Sequence, residues 1–470
     1  MSKFKESFSL FFRGTDKILT LLCLLASTFG IVMVYSATRH TVEGGGFPRD
    51  ALTMIFAVII GLAIAFGMSL IDYDAYCRIW WVWGALGVFL MILVMLVGVA
   101  PSARQDARTW LNLGIIYFQP SELVKVFFIT TFSVHLYSVR DEINKVRNVL
   151  LLVLHALIPF ALVSISGDDG SALVFLLIAL SMIIVAGLSW KYILGFFALV
   201  GAAIPLVWSK LTNFQKERFV VIWNPDKYPG TSYQQNLGLA ALYNGGFLGK
   251  GLFKGNYTQN GVVPESQNDM IFTVIGEELG VIGGLVAILL LMGIILRIIK
   301  IGRSSVDGPA QYACYGIASM IGFQTLINLA MVFRIGPVIG ITLPFFSAGG
   351  SSTLCLYVAI GLVLSIQRAV YSETADNMLP LIGVTSRFDP SYRSSEHQKK
   401  PKRNWSPRAR KAWHQAKRMD RKANSILPNT RRGHLQYDFD HKNRKSPPSH
   451  ATFKPRAGSK KQPRYRDENK

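Results

Sequence analysis

The chain has 470 residues, of which 50% are hydrophobic and only 17% are charged. A soluble protein carries about 25% charged residues, so the composition excludes a set of ordinary globular domains, and for most of the chain it also excludes disorder, collagen and a disulfide scaffold. The net charge of +22 is uneven, because residues 371–470 contain 25 Lys and Arg against 9 Asp and Glu. An apolar body is followed by a basic tail.

Cysteine and histidine usage limits the chemistry of the body. The cysteines lack CxxC spacing, so they indicate neither a disulfide framework nor a zinc site, and five of the eight histidines lie in the tail. Any chemistry in the body must therefore use carboxylates, amides, Lys, Arg and backbone groups.

The body contains about ten stretches that are long and apolar enough to cross a bilayer, which takes about 20 residues of helix. They cover residues 18–36, 51–70, 80–100, 120–138, 149–166, 171–188, 191–208, 271–296, 312–334 and 341–366. We number them spans one to ten, with spans six and seven forming a tight hairpin. The predicted fold is an all-α polytopic membrane protein whose membrane domain covers residues 1–370.

The short loops indicate the orientation. With the N-terminus inside, twelve Lys and Arg fall in cytoplasmic segments and four in short outer loops, as the positive-inside rule requires. Both termini are then cytoplasmic. The tail, residues 371–470, has few core-forming residues and is predicted to be disordered. We expect it to tether the chain to the anionic leaflet or to a partner.

One outer loop, residues 209–270, separates spans seven and eight. A loop of that length is usually functional or disordered. Its aromatic residues and its GGFLGKGLFKG run favour an ordered structure.

Polar residues at the outer start of span four are the first candidates for chemistry. In QPSELVK, Glu122 lies in the first helical turn, where the helix dipole favours a carboxylate, and Lys125 lies deeper and can pair with it. A lysine in a membrane helix is costly and is expected to face a polar cavity. Just before them, Arg108 and Trp110 lie at the outer interface, where a tryptophan is also typical of the aromatic belt.

Acidic residues recur at two other outer positions. Asp168, in a Gly-Asp-Asp-Gly sequence between spans five and six, fits simple turn chemistry. Asp269 closes the long loop and is in position to cap span eight. Glu277 and Glu278 follow about two turns later, which brings one of them beneath Asp269. A stack of acids on a membrane helix indicates a functional site.

The segment from Asn328 to Ser352 is dense in Gly, Pro and Ser, which predicts a broken helix lining a cavity. This segment, QPSELVK, the NGGFLGKG stretch and the Pro264–Phe272 motif occur in the order found in the SEDS family (shape, elongation, division and sporulation), which includes RodA and FtsW. Residues 10–370 resemble this family. The chain departs from its usual pattern at Thr109, at the turn before Ser171 and at Ala348.

The resemblance implies a peptidoglycan glycosyltransferase that polymerises lipid II at the outer face of the bacterial cytoplasmic membrane, for elongation, division or sporulation. Asp269 would be the general base. The implied substrate-binding residues are Arg108, Trp110, Glu122, Lys125, Arg218, Lys250, Glu278 and Ser351. A divalent cation, Mg or Mn, is a candidate cofactor. The expected partners are lipid II, a class B penicillin-binding protein and the lipid bilayer, with no role for nucleic acid.

Two other functions stay open. A lipid II flippase, or another polyprenyl-lipid transporter, would be favoured by polar residues buried at mid-membrane. A scaffold would leave glycan synthesis to its penicillin-binding partner, which the presence of Asp269 in the motif disfavours.

Overall fold

The computed structural model describes residues 15–42, 46–100, 107–114, 117–305 and 308–374. Its α-helices in chain order are α1 Lys17–Thr38, α2 Arg49–Ser69, α3 Tyr73–Arg78, α4 Trp80–Val97, α5 Pro120–Val139, α6 Val146–Ile165, α7 Asp169–Val185, α8 Trp190–Lys210, α9 Asn213–Val220, α10 Pro229–Gly245, α11 Asn256–Gln259, α12 Ile271–Ser304, α13 Ala310–Val332 and α14 Gly350–Thr374. Two short strands, β1 Leu111–Asn112 and β2 Tyr117–Phe118, pair in an antiparallel hairpin before α5.

Within the described ranges, nine helices are long and apolar enough to cross a membrane, and α7, with 17 residues, is a shorter apolar helix. These ten correspond to the ten predicted spans, so the prediction of an all-α polytopic membrane protein is confirmed. Large apolar side chains remain exposed on the helix faces that point away from the bundle, for example Phe56 on α2 and Leu199 on α8. In a membrane protein such side chains face lipid.

The inside of the bundle is formed mainly by α5, α13 and α14. Helix α5 buries most of its side chains. Its buried hydroxyls bond to the helix's own carbonyls, as Thr130 does to the Val126 oxygen at 2.9 Å. Helix α14 packs closely against α2, since Gly61 leaves room for the Tyr357 ring and Gly361 for the Ala65 backbone. Close packing of small residues is the usual way that membrane helices associate.

Span ten begins later than predicted. Residues 341–349 are not helical, and α14 starts only at Gly350. This linker is buried at Phe345 and Phe346, and Phe345 has a positive φ of 66°. The Ser347 hydroxyl accepts a hydrogen bond from the Leu343 amide at 2.8 Å. The broken helix predicted from the Gly, Pro and Ser content is confirmed, with its exposed amides partly satisfied inside the protein.

The outer loop is ordered, as predicted, and contains the helices α9, α10 and α11. Helix α10 packs against the outer part of α12. It leads into a run that we call the glycine segment, Gly245–Gly251. This segment lies against α12 at Gly280, whose φ of 66° and ψ of −164° interrupt the helix.

The basic tail lies outside the described residues from 375 onward. Helix α14 continues to Thr374, so it includes the first four residues of the predicted tail.

The contact between the glycine segment and Gly280 generates a stability prediction. A side chain at Gly280 would meet the backbone of Phe247 and Gly249, and it would hold a φ that costs other residues roughly 1–2 kcal/mol. We expect Gly280→Ala to lower the thermal unfolding temperature.

Gly322 in α13 is the matched control, because a Cβ there would have only an ordinary contact, 3.8 Å from Ile295 Cδ1. Alanine is the better helix former by about 1 kcal/mol, so Gly322→Ala should leave the unfolding temperature unchanged or raise it. Equal unfolding temperatures for the two variants would contradict the packing described here.

Candidate active site

Asp269 lies at the outer end of α12, two residues before the helix begins at Ile271. Met270 occupies the N-cap position, and no side chain makes a capping hydrogen bond there. The interpretation of Asp269 as a helix cap is therefore wrong. Its carboxylate is not used to begin the helix.

The backbone around Asp269 is held by α13 and by the segment that follows it. The Asn328 side-chain Nδ2 donates to the Asp269 carbonyl at 2.7 Å and to the Ile341 carbonyl at 2.8 Å. The Ala348 amide donates to the Gln267 carbonyl at 2.8 Å. The Gly- and Ser-rich segment thus fixes the position of the acid.

The Asp269 carboxyl group is nearly enclosed, with 7% of the residue exposed. Its Oδ1 is buried and has no hydrogen-bond partner among the described residues. Burial, together with the nearby negative charge of Glu265, raises the pKa of Asp269 to about 7, although hydrogen bonding to the backbone of Asp269 and Met270 and to the Gln234 side chain lowers it. Such a group can accept a proton near neutral pH.

A glycine of the linker before α14 lies opposite this carboxyl group, so the backbone there can approach it closely. Gly340, with φ of 67°, faces Asp269, and a Cβ there would lie 4.0 Å from Oδ2. The carboxyl group therefore lies between α12 and the linker to α14.

A polar network joins the outer ends of α5, α7 and α14. Asp168 caps α7 by accepting from the Ser171 amide at 3.0 Å, so its prediction as a turn residue is confirmed. Its other oxygen accepts from Gln119 Nε2 at 2.8 Å and from the Ser121 hydroxyl at 3.1 Å. The Ser351 hydroxyl accepts a hydrogen bond from the backbone amide of Gln119 at 3.1 Å. These contacts place Ser351 in the framework of the site.

Glu122 and Lys125 form a buried ion pair, with 2.7 Å between Oε1 and Nζ. Lys125 is only 1% exposed. The predicted pairing of these residues is confirmed, and it neutralises both charges beneath the outer surface. Their contact with a substrate stays a prediction.

Arg108 and Trp110 lie on the outer surface beside this network. Arg108 is exposed and Trp110 is half-buried. Trp110 pairs with Val99 through its backbone, with N to O distances of 2.8 and 3.3 Å. Ala107 packs against Gly167, in the turn before α7, and Gly170 in turn packs against Ile339 and Ile341. Contacts thus run from the Arg108 segment to the linker that holds Asp269.

Glu277 and Glu278 lie deeper and are fully buried. Glu277 accepts from Asn244 Nδ2 and from the Tyr257 and Thr258 amides at 2.8–2.9 Å. The two glutamates bind the outer loop to α12.

The Glu278 carboxylate accepts from the Ser36 hydroxyl at 2.7 Å, from Gln259 Nε2 at 2.8 Å and from the Phe253 amide at 3.0 Å. It therefore connects α1 to the outer loop. Because it is enclosed, Glu278 lies away from any surface that a substrate could reach. Its role in the structure is to position the outer loop against α1 and α12.

The two remaining candidates lie elsewhere in the outer loop. Lys250 is exposed in the glycine segment, where its amide donates to the Glu277 carbonyl at 2.9 Å. Arg218 is half-buried on α9.

In the part of the chain that the structure describes, no group of three or more His, Cys, Asp or Glu gathers as a metal site. The described side chains alone therefore do not fit a protein-built cation site.

Comparisons with known proteins agree with this architecture. The family model described as cell cycle protein, covering FtsW, RodA and SpoVE, matches residues 16–372. The chain belongs to the FtsW/RodA/SpoVE family. The resemblance to the SEDS family is thereby confirmed, and the chain is a multi-pass membrane protein.

Relatives in this family match nearly their whole length. Stage V sporulation protein E of Bacillus subtilis is 32% identical, over 75% of this chain and 97% of the relative. The probable peptidoglycan glycosyltransferase FtsW of the same organism is 34% identical, over 78% and 94%. A chain from a structure described as a peptidoglycan synthase complex that coordinates polymerization and crosslinking superposes with a TM-score of 0.66, at 26% identity and coverage of 76% and 98%.

The structure also shows two residues whose roles in the site were missed by the sequence analysis. Gln234 on α10 influences Asp269, and Ser36 on α1 bonds to Glu278. Ser36 is a polar residue inside an apolar span, which was a usable signal. Nothing in the sequence distinguishes Gln234 from the other amides of the loop.

The burial of Lys125 and the exposure of Arg108 predict different effects of losing each charge. Removing one partner of a buried ion pair costs about 3–5 kcal/mol, whereas an exposed substitution usually changes stability by less than about 0.5 kcal/mol. We expect Lys125→Gln to lower the unfolding temperature strongly and Arg108→Gln to leave it unchanged.

Thermal unfolding of both variants in the same detergent tests this. The double variant Glu122→Gln, Lys125→Gln removes both charges, and it should recover much of the lost stability. A Lys125→Gln protein as stable as the Arg108→Gln protein would show that the buried pair is absent in solution.

Proposed function

We propose that this chain is a peptidoglycan glycosyltransferase that polymerises lipid II at the outer face of the cytoplasmic membrane. The observation that carries the proposal is the Asp269 carboxyl group, which is buried at an outer helix end, has an oxygen without a partner among the described residues, and has a pKa of about 7. The similarity to relatives named for peptidoglycan synthesis supports it.

In the proposed reaction, Asp269 acts as the general base. Its carboxylate takes the proton from the 4-hydroxyl of the acceptor N-acetylglucosamine as that oxygen attacks the anomeric carbon of the donor. The new carbon–oxygen bond forms as the bond to the pyrophosphate oxygen breaks, and the polyprenyl pyrophosphate leaves with the electron pair. Attack from the face opposite the leaving group inverts the anomeric carbon.

Positive charge is needed where the pyrophosphate leaves. Arg108 is the strongest candidate, because its side chain is exposed and its segment connects to the Asp269 site through the turn before α7. Lys250 is exposed in the outer loop and is the second candidate, with Arg218 behind it. Lys125 is engaged with Glu122, so we assign it first to holding the site together.

A divalent cation, Mg or Mn, stays part of the proposal. It would neutralise charge on the leaving group. The roles assigned to the side chains above do not depend on it.

The hydrogen-bond partners of the buried charged residues bear on the alternative that the chain is a lipid transporter. A lipid passage would need polar groups open to a cavity at mid-membrane. Glu277 and Glu278 instead bond to the outer loop, and Lys125 bonds to Glu122. The observations thus favour chemistry at the outer surface.

We also propose a crosslinking enzyme of the class B penicillin-binding type as partner, because a structural relative occurs in a complex that coordinates polymerization and crosslinking. Both termini would lie in the cytoplasm, as the distribution of Lys and Arg in the loops indicates.

Asp269→Asn tests the general base directly. Asparagine keeps the size and the polar character of the side chain but cannot take the proton. Since a positioned base contributes about 10²–10⁴-fold in rate, we expect glycan formation from lipid II to fall by that factor while the unfolding temperature is kept.

Glu265→Gln is the matched control, because it removes a neighbouring carboxylate that the mechanism does not use. This variant should keep polymerase activity near neutral pH. An Asp269→Asn protein that forms glycan at a rate close to that of the Glu265→Gln protein would end the proposal for Asp269.

A further inference from the structure

The glycine segment exposes two large apolar side chains next to each other. Phe247 is 69% exposed and Leu248 is 75% exposed. Fully burying such a side chain is worth about 1.5–3 kcal/mol. If both side chains were held in water at the tip of a fixed loop, the protein would not gain this stabilisation.

The segment is fixed firmly against α12. The Lys250 and Gly251 amides donate to the Glu277 and Glu278 carbonyls at 2.9 Å, and the Val281 amide donates to the Gly246 carbonyl at 3.1 Å. Gly249 packs directly on the Glu278 backbone, with no room for a side chain. Phe247 and Leu248 are therefore held at the level of residues 277–282 of α12.

The depth of that level follows from the other end of α12. Arg297 marks the inner side, where its guanidinium pairs with Asp16 at 2.6 Å just before α1. Val281, the first residue of α12 after the interruption at Gly280, precedes Arg297 by sixteen residues. At about 1.5 Å per residue of continuous helix these span roughly 24 Å, most of the ~30 Å thickness of the hydrocarbon core. The glycine segment, whose Gly246 carbonyl bonds to the Val281 amide, thus lies near the outer boundary of the hydrocarbon.

The lipid-facing surface of α12 begins at the same level. Residues 271–278 are buried, whereas Val281 and Ile282 are the first large apolar residues of α12 that are strongly exposed, followed by Leu285 and Leu289. Phe247 and Leu248 lie beside Val281 and Ile282 and extend this apolar surface sideways from α12. The exposed side chains form one continuous lipid-facing region.

We propose that the glycine segment is a re-entrant membrane anchor that inserts Phe247 and Leu248 into the hydrocarbon of the outer leaflet. Lys250, exposed two residues later, then lies among the lipid phosphates. The part of α12 before Gly280 leads from this segment to Ile271 and the Asp269 site. The anchor sets how high the Asp269 site stands above the phosphates, and its insertion does not depend on the reaction proposed above.

A spin label tests the insertion. The full chain carrying Leu248→Cys is labelled with a nitroxide and reconstituted in vesicles of phosphatidylethanolamine and phosphatidylglycerol; the four natural cysteines are buried and do not compete for the label. Collisions of the nitroxide with oxygen, which enters hydrocarbon, and with a water-soluble nickel chelate are measured. Labels at Leu285 and at Lys227 give the lipid-facing and the water-exposed reference, since both side chains are exposed.

We expect the label at Leu248 to collide more often with oxygen than with the chelate, as the label at Leu285 does. A label that meets the chelate as often as the one at Lys227 would place the segment in water and overturn the proposal. A label shielded from both reagents would mean that another protein or a second copy covers the segment, which also overturns it. Phe247→Cys provides a second labelling site if the first variant does not fold.

Discussion

One buried amide side chain, that of Asn328, joins the two chain segments that form the outer site. Its Nδ2 bonds at once to the carbonyls of Asp269 and Ile341. Neither segment is helical at these positions, so neither is held by the backbone hydrogen bonds of a helix. Together with the bond from the Ala348 amide to the Gln267 carbonyl, this amide fixes the acid at the start of α12 against the linker before α14. Such fixing matters because a general base must lie within hydrogen-bond reach of the proton it takes.

Two kinds of buried carboxyl group in this protein behave differently because their hydrogen bonds differ. Glu277 and Glu278 are fully buried on a membrane helix and accept several hydrogen bonds from the outer loop and from α1. A buried charge that is fully bonded holds structure together. Asp269 is also buried, yet its Oδ1 has no partner among the described residues. Burial without full bonding favours the protonated form and makes the group suitable for proton transfer.

The sequence was sufficient for the membrane helices, because about 20 apolar residues in a row have few other structures. It also located Asp269 and the Glu122–Lys125 pair, whose spacing of three residues places both on one helix face. The cap at Asp269 and the start of span ten at residue 341 were wrong. Both depend on tertiary contacts, such as that of the Ala348 amide with the Gln267 carbonyl, that no local pattern encodes.

We propose that burial makes Asp269 a general base that titrates near neutral pH. The rate of glycan formation from lipid II, measured at limiting substrate between about pH 5 and pH 9, tests it most directly. Because the pKa of Asp269 is raised to about 7, the base is protonated below that pH. The rate should therefore rise about tenfold per pH unit up to about pH 7 and then level off. Glu265→Gln removes a neighbouring negative charge, so it should shift this rise to lower pH. A rate that does not change across pH 7 in either protein would contradict the account.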